Sequence, residues 1–380
     1  MIYLDSAATS YYRPESVANA VYQAIHSMGN PERSSHGSSL EASRVVYETR
    51  NMLAELFHAK GASQVAFTSN ITEALNIVIQ GYSKMKKSMA ATQMDHNSIL
   101  RPLYQAKQEG CRVEIVPVDK NGNLDMDKLE TILKSGIDVF LCTHASNLTG
   151  NKNDIHMIGW LCKKYGTTFV LDTAQTAGIF PIDMQEDCID IVCFTGHKGL
   201  MGPQGVGGLC LAEHIVLPSW KVGGTGIRSY EMEHPSQMPT ALEAGTLNGH
   251  GIAGLHAALL YIKDFGIDAI QKKEQKLMKQ FYEGVKNLSG ITIYGDFSNW
   301  NRAAIVALNI REYDSSQVSD TLAWKYNIYT RGGAHCAPLM HTALGTKEQG
   351  AVRFSFSHFL EEHQVEEAIG VVEHITKEFL

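Results

Sequence analysis

The chain has 380 residues, 44% hydrophobic and 19% charged, with a formal net charge of −7. That length accommodates a large core plus a second, smaller domain, and the composition is that of an ordinary globular protein rather than a disordered one. The negative balance argues against a general nucleic-acid binder, because phosphate contact needs a basic surface.

In MIYLDSAAT at the amino terminus there is no basic n-region, apolar h-region or small-residue cleavage site, so no secretory signal is read. No apolar run approaches the ~18–20 residues that span a bilayer. The cysteines (Cys111, Cys142, Cys162, Cys188, Cys193, Cys210 and Cys336) are odd in number and form no CxxC pair. That pattern fits reduced thiols better than a disulfide framework or a zinc site. The expectation is a cytoplasmic protein with no membrane segment, no nucleic-acid partner and no metal.

In chain order, strands are expected at Gln64–Thr68, Met89–Thr92, Val113–Pro117, Asp138–Thr143, Thr168–Asp172, Asp190–Phe194 and Val206–Leu211. Several are almost wholly apolar, as strands buried on both faces should be. Helical patterns lie between many of them, at Thr72–Gln80, Ser98–Gln108 and Asp154–Tyr165. Such alternation predicts an α/β fold with a mostly parallel, seven-stranded sheet covered by helices, whose ligand lies at the carboxyl ends of the strands. Residues 215–250, rich in Gly, Pro, Ser and Thr, read as a functional surface loop. Helices at Ile252–Phe265 and Asp268–Leu288 follow, then apolar runs at Ala303–Asn309 and Ala351–Ser355 around a helical Ser316–Tyr326, and a last helix at Glu366–Phe379. The expected division is a large domain at 15–261 and a smaller α+β domain from 1–14 and 262–380.

The sharpest chemical signal is TGHKGLMGPQGVGG at 195–208, directly after an apolar strand. Lys198 reads as a surface-loop lysine or as a Schiff-base lysine, whose amine must be partly desolvated to be neutral and nucleophilic. Thr195 and His197 can donate to a phosphate, and the glycines allow close backbone approach. Asp172 ends the apolar strand of TTFVLDTAQTAG, where a carboxylate is costly without a partner. It reads as a helix N-cap or as the partner of a protonated ring nitrogen. Lys198 lies 26 residues further on and one strand over, and that pairing favours the second reading.

The pattern DxxQ at 172–175 followed by TGHK at 195–198 resembles the class V aminotransferase branch of pyridoxal 5′-phosphate (PLP) fold type I enzymes. Within it, the chain is most similar to the cysteine desulfurase / selenocysteine lyase group with a compact cysteine loop. The resemblance runs from LDSAAT at 4–9 to VRFSF at 352–356. It implies that Lys198 holds PLP and carries protons, Asp172 meets the pyridinium proton, and Gln175 reaches the phenolic oxygen. It also implies that His96, in QMDHNS, stacks on the ring, and that Asn147, in THASNLTG, contacts the ring oxygen and the substrate carboxylate. His96 read alone is a satisfied loop histidine.

The same resemblance puts the phosphate at SNITEALN, 69–76, on the backbone amides of Ile71 and Thr72 at a helix start, which suits an anion. Asn70 replaces a more usual glycine, and a turn with positive φ is expected to survive because asparagine tolerates it. Thr246, in EAGTLNG, matches a threonine that reaches the partner's phosphate, implying a homodimer with shared active sites. In YTRGGAHCAPLMH, 329–341, Cys336 matches the sulfur-accepting cysteine, with His335 and Arg331 expected as positive neighbours. Arg353 matches the substrate-carboxylate arginine and Arg331 is a second candidate. Gly332-Gly333-Ala334 departs from the bulkier residues common before the His-Cys pair.

The implied reaction converts L-cysteine to L-alanine and leaves the sulfur on Cys336 as a persulfide for an acceptor protein of unknown identity. Alternatives are a selenocysteine lyase, another PLP-dependent β-lyase or transaminase, and a non-catalytic scaffold of the same fold.

Overall fold

A computed structural model describes residues 1–31 and 36–378. All seven expected strands form, each within a residue of its expected bounds, and join one sheet. Across it the order is Val65–Thr68, Gly207–Leu211, Ile191–Thr195, Thr168–Asp172, Val139–Thr143, Met89–Thr92, Val113–Val116. Gly207–Leu211 runs antiparallel to both neighbours, and the remaining pairs are parallel.

Alternation along the strands sends Phe140, Phe169 and Phe194 to one face and Leu141, Val170 and Cys193 to the other. Leu53, Leu255 and Leu259 share the first core, and Leu75 and Val78 of helix Ile71–Lys84 share the second. Each large side chain buried in this way contributes about 1.5–3 kcal/mol, so burial on both faces holds the sheet. All seven cysteines are unpaired and five of them are buried.

The carboxy-terminal part carries an antiparallel sheet ordered Val352–Ser355, Ile305–Ile310, Ile291–Tyr294. Strand Ile2–Tyr3 pairs in parallel with Ile328–Tyr329, and Leu4 shares a core with Phe281 and Phe354. The expected helices form as Ile155–Tyr165, Asn97–Gln108, Gly249–Phe265, Ile267–Val285, Ser315–Tyr326 and Glu362–Glu378. Phe379, the end of the last expected segment, lies outside the described residues. Between Leu211 and Gly249 the only regular element among the described residues is the short 3-10 turn Thr240–Leu242.

Four helices were not expected: Glu15–Ser27, Gly37–Leu56, Met126–Lys134 and the short Pro338–Leu344. The first buries only Val17 and Ala24, while Tyr22 and Ile25 remain about 60% exposed, so its bulky residues mark the wrong face. The third is nine residues long and depends on Asp125, whose carboxylate accepts the Lys128 N–H at 2.9 Å. Among the described residues no helix is long and apolar enough to cross a membrane.

Candidate active site

Four neighbouring parallel strands end at one edge, in Thr92, Thr143, Asp172 and Thr195. Thr143 lies opposite Asp172 in register, and Asp172 lies opposite Cys193. The turn after Thr195 carries His197 and Lys198 back over this edge. The amino-terminal segment clasps that turn: Ser10 N–H and Thr9 Oγ1 donate to the His197 carbonyl at 3.0 and 3.2 Å. Ser10 Oγ donates to the Lys198 carbonyl at 2.8 Å, and Thr9 Oγ1 meets His197 Nδ1 at 3.0 Å. Gln175 Nε2 donates to the Ala7 carbonyl at 3.1 Å.

Burial brings the Lys198 amine down to about 8, with Arg353 and Arg331 adding to the effect and Asp172 opposing it. A desolvated lysine of this kind has a neutral fraction near physiological pH. Asp172 is 3% exposed; burial pushes its carboxyl up, while the Ala174 N–H at 2.8 Å and the Lys198 amine favour the charged form. The N-cap reading of Asp172 is corrected: the residues after it form turns rather than a helix, and its carboxylate accepts the Ala174 N–H of that turn while the Lys198 charge acts on it.

His96 begins helix Asn97–Gln108 as its N-cap, Nδ1 accepting the Ser98 N–H at 3.0 Å. Ser98 Oγ lies 2.9 Å from that nitrogen and 2.8 Å from Thr72 Oγ1, linking His96 to the first turn of helix Ile71–Lys84. Burial and the charges of Lys198, Arg331, Arg353 and Arg101 bring His96 down to about 4, so its imidazole is neutral. Burial, then Lys198 and Arg13, bring His197 to about 4 as well.

The Ile71 and Thr72 amides lie in the first helical turn, where no intrahelical acceptor exists. Asn70 caps this helix by accepting the Glu73 N–H at 3.0 Å, but its φ is −173°, so the expected positive φ does not occur. The close approach depends on Gly207 instead, because a Cβ there would meet Asn70 Cα at 2.7 Å. Thr246 is exposed, in a hollow it shares with Ser69, Glu73 and Lys221.

Arg353 is 1% exposed and its groups are largely committed. Nη2 pairs with Asp5 Oδ1 at 2.8 Å, Nη1 donates to the Asn147 carbonyl at 2.9 Å, and Nε is buried without a partner. Arg331 exchanges backbone hydrogen bonds with Arg353 and keeps its side chain exposed. Asn147 Nδ2 donates to the His335 carbonyl at 2.7 Å, leaving its buried Oδ1 unpaired, and Thr195 Oγ1 is likewise buried and unpaired.

Cys336 is partly exposed and tied to the same edge, its carbonyl accepting the Asn97 N–H at 2.8 Å. His335 and Cys336 both adopt the left-handed region, with φ of 48° and 55°. His335 Nε2 donates to the Ala351 carbonyl at 2.9 Å, and burial, with Arg353, brings the ring down to about 3. It is neutral, which corrects the expectation of a positive neighbour for Cys336. The Gly332 departure has a steric reason: a Cβ there would lie 2.4 Å from the Ser315 carbonyl oxygen. Gly332→Ala is expected to displace the loop and lower stability by about 1–3 kcal/mol. Unfolding midpoints and sulfur-transfer rates equal to wild type would contradict this.

His144 is 1% exposed, and burial brings it down to about 3. Above about 6.5 it is neutral in both the folded and unfolded states; below that, only the unfolded chain takes up the proton. Its contribution therefore falls as pH drops from 6.5 towards 3, by about 1.4 kcal/mol per pH unit. Buried carboxylates such as Asp95, raised to about 7, act in the opposite direction, so the test is a difference. The stability advantage of wild type over His144→Asn should narrow between pH 6.5 and 5 in denaturant titrations. A constant difference would refute it.

A wide cleft of about 870 Å³ lies at the opposite edge, near Thr168 and Asp190, and no expected site residue lines it. Among the described residues no group of three His, Cys, Asp or Glu side chains is placed to hold a metal. Asp5, Thr9, Ser10 and Asp95 were not expected at this edge. Their signal was present in the polar LDSAATS segment and in the acid preceding His96.

The aminotransferase class-V family model matches residues 2–367. A probable cysteine desulfurase of Pyrococcus abyssi is 33% identical over 99% of this chain and 94% of its own length. The cysteine desulfurase of an Escherichia coli strain is 29% identical over 90% of this chain and 85% of its own. An apo cysteine desulfurase structure from Thermococcus onnurineus superposes with a TM-score of 0.94 at 31% identity, covering 99% of this chain and 95% of that one. An Escherichia coli cysteine desulfurase solved in an S-sulfonic acid form gives a TM-score of 0.89 at 26% identity, covering 100% and 95%.

Proposed function

The chain belongs to the class-V aminotransferase family, among its cysteine desulfurases, and from that premise we propose how its own residues carry sulfur from L-cysteine to Cys336 with PLP as cofactor. The observation that carries the reading is one edge of one sheet. There a depressed lysine faces a buried aspartate, and a partly exposed cysteine is hydrogen-bonded to the residue after His96.

The residues present fit PLP. Lys198 is an amine neutral enough to link to an aldehyde, and Asp172 is a buried carboxylate in want of a cationic partner. The first-turn amides of Ile71 and Thr72 suit a phosphate, and the buried, unpaired Thr195 hydroxyl and His197 would donate to it as well. Gln175 and Asn147 would reach the ring oxygen, and the neutral ring of His96 would stack on the cofactor. PLP, when bound, supplies the electron sink that a cysteine side chain alone cannot offer.

Arg353 orients the substrate by its carboxylate, exchanging part of its hold on Asp5 for the substrate; Arg331, exposed beside it, adds positive charge at the entrance. Lys198 Nζ takes the proton from the substrate Cα and later returns one. The Cys336 thiolate attacks the substrate sulfur: an S–S bond forms, the Cβ–S bond breaks with its electron pair left on carbon, and Cβ takes a proton to give alanine. The partial exposure of Cys336 leaves the persulfide open to an acceptor, which we read as a protein thiol.

Thr246, being exposed, is available to a second copy, and the reading includes a homodimer with shared sites. The reading divides the chain into 15–261 and 1–14 with 262–380: residues 2–4 and 277–375 supply a core of their own, while Ile262 and Ile270 still pack in the core of the large sheet. The unpaired cysteines favour a reducing, cytoplasmic setting. The deciding experiment incubates the PLP-loaded protein with L-cysteine, quantifies alanine, and looks for one added sulfur on the Cys336 peptide. Alanine with no sulfur on Cys336 would refute the transfer.

A further inference from the structure

Asp95 has no part in the chemistry above, yet it is fully buried among the strand ends. Strands Met89–Thr92 and Val139–Thr143 are neighbours, but their paired residues are only Met89 with Val139 and Ala90 with Phe140. Beyond Ala90 the two strands part, while Val139–Thr143 stays paired with Thr168–Asp172 up to Asp172. The Asp95 carboxylate spans that parting. Oδ2 accepts Thr92 N–H at 2.6 Å and Thr92 Oγ1 at 2.9 Å, and Oδ1 accepts Thr143 N–H at 2.7 Å. His96 is the next residue.

We propose that Asp95 is a positioning residue: by joining the separated strand ends it fixes the turn that holds the His96 imidazole against the cofactor. This rests on the PLP reading given above. The carboxylate is suited to the task because both oxygens face N–H donors. An asparagine of the same shape would turn an NH₂ towards one of them, breaking that bond and opposing donor to donor. Burial raises the Asp95 carboxyl to about 7, while its three donors favour the anion.

The test is a double-mutant cycle on the full-length protein with Asp95→Asn, His96→Ala and the pair, reading PLP dissociation by equilibrium dialysis and the circular dichroism of bound PLP. Asp95→Asn alone should weaken PLP about tenfold, the size of one charge-assisted hydrogen bond, and diminish the cofactor's dichroic band. In the His96→Ala background the same change should have less than about a third of that effect. Equal losses in both backgrounds, or none, would overturn the proposal. Should Asp95→Asn fail to fold, Thr92→Val removes the hydroxyl that donates to Asp95 and accepts the Met94 N–H at 3.1 Å, leaves both strand-end amides on the carboxylate, and should shift both readouts the same way by less. A wild-type protein that takes up no PLP would sink the cofactor reading itself. The hold of Asp95 on His96 is then read from imidazole nitrogen shifts in cofactor-free protein, and shifts unmoved by Asp95→Asn would refute it.

Discussion

Lys198→Ala is expected to abolish turnover, lowering kcat by at least about 10³-fold, within the range a positioned acid–base group supplies. The variant should still bind PLP, more weakly, because Asp172 and the first-turn amides of Ile71 and Thr72 remain. The structural reason is the depressed amine: a lysine brought to about 8 is neutral roughly a quarter of the time at pH 7.5. At its ordinary value only about one in a thousand would be. Burial makes the larger contribution, and the neighbouring cations Arg353 and Arg331 add to it. Borohydride reduction followed by peptide mapping checks the assignment. Wild type should carry the reduced cofactor on Lys198 and the variant nowhere. A label on another lysine, or turnover within tenfold of wild type, would remove Lys198 from the mechanism.

Cys336→Ala is expected to separate cofactor chemistry from sulfur transfer. PLP absorbance and affinity should match wild type, because the Cys336 side chain makes no hydrogen bond to the cofactor-holding residues; it is the carbonyl that accepts the Asn97 N–H. Alanine formation from L-cysteine should fall by at least about 10²-fold, the low end of what a positioned catalytic group provides. The left-handed backbone at Cys336 is strained for a residue with a side chain, yet alanine meets the same constraint as cysteine, so the loop should persist. Running the variant on L-selenocysteine as well distinguishes a lyase, whose turnover would survive. Undiminished alanine from cysteine would rule out the persulfide route.

Much of this site can be read along the chain because its parts are local. Asp172 and Thr195 each close an apolar run, and a buried strand that stops at a polar residue declares an edge of the sheet. The positions of Lys198, His96 and Cys336 followed from short motifs lying on either side of such runs. Electrostatic character did not follow. His335 looks like a positive neighbour of Cys336 in one dimension, but it is 3% exposed, bonded to the Ala351 carbonyl, and kept neutral by burial and by the charge of Arg353. Asn70 looks like a glycine substitute, but its extended backbone is permitted by Gly207, on a neighbouring strand far along the chain.

The sequence by itself determined the strands of the large sheet, the lysine–aspartate pair on adjacent strands and the presence of a cysteine in a short glycine-rich loop, because each depends on hydrophobic periodicity or on residues close in the chain. Only the tertiary structure decided how those groups are held. Asp5 pairs with Arg353 across 348 residues, Thr9 and Ser10 clasp the Lys198 turn across 188, and Asp95 joins strand ends that the sheet leaves apart. Charge state was decided there too, since the burial that lowers Lys198 and the histidines arises only when distant segments exclude water together.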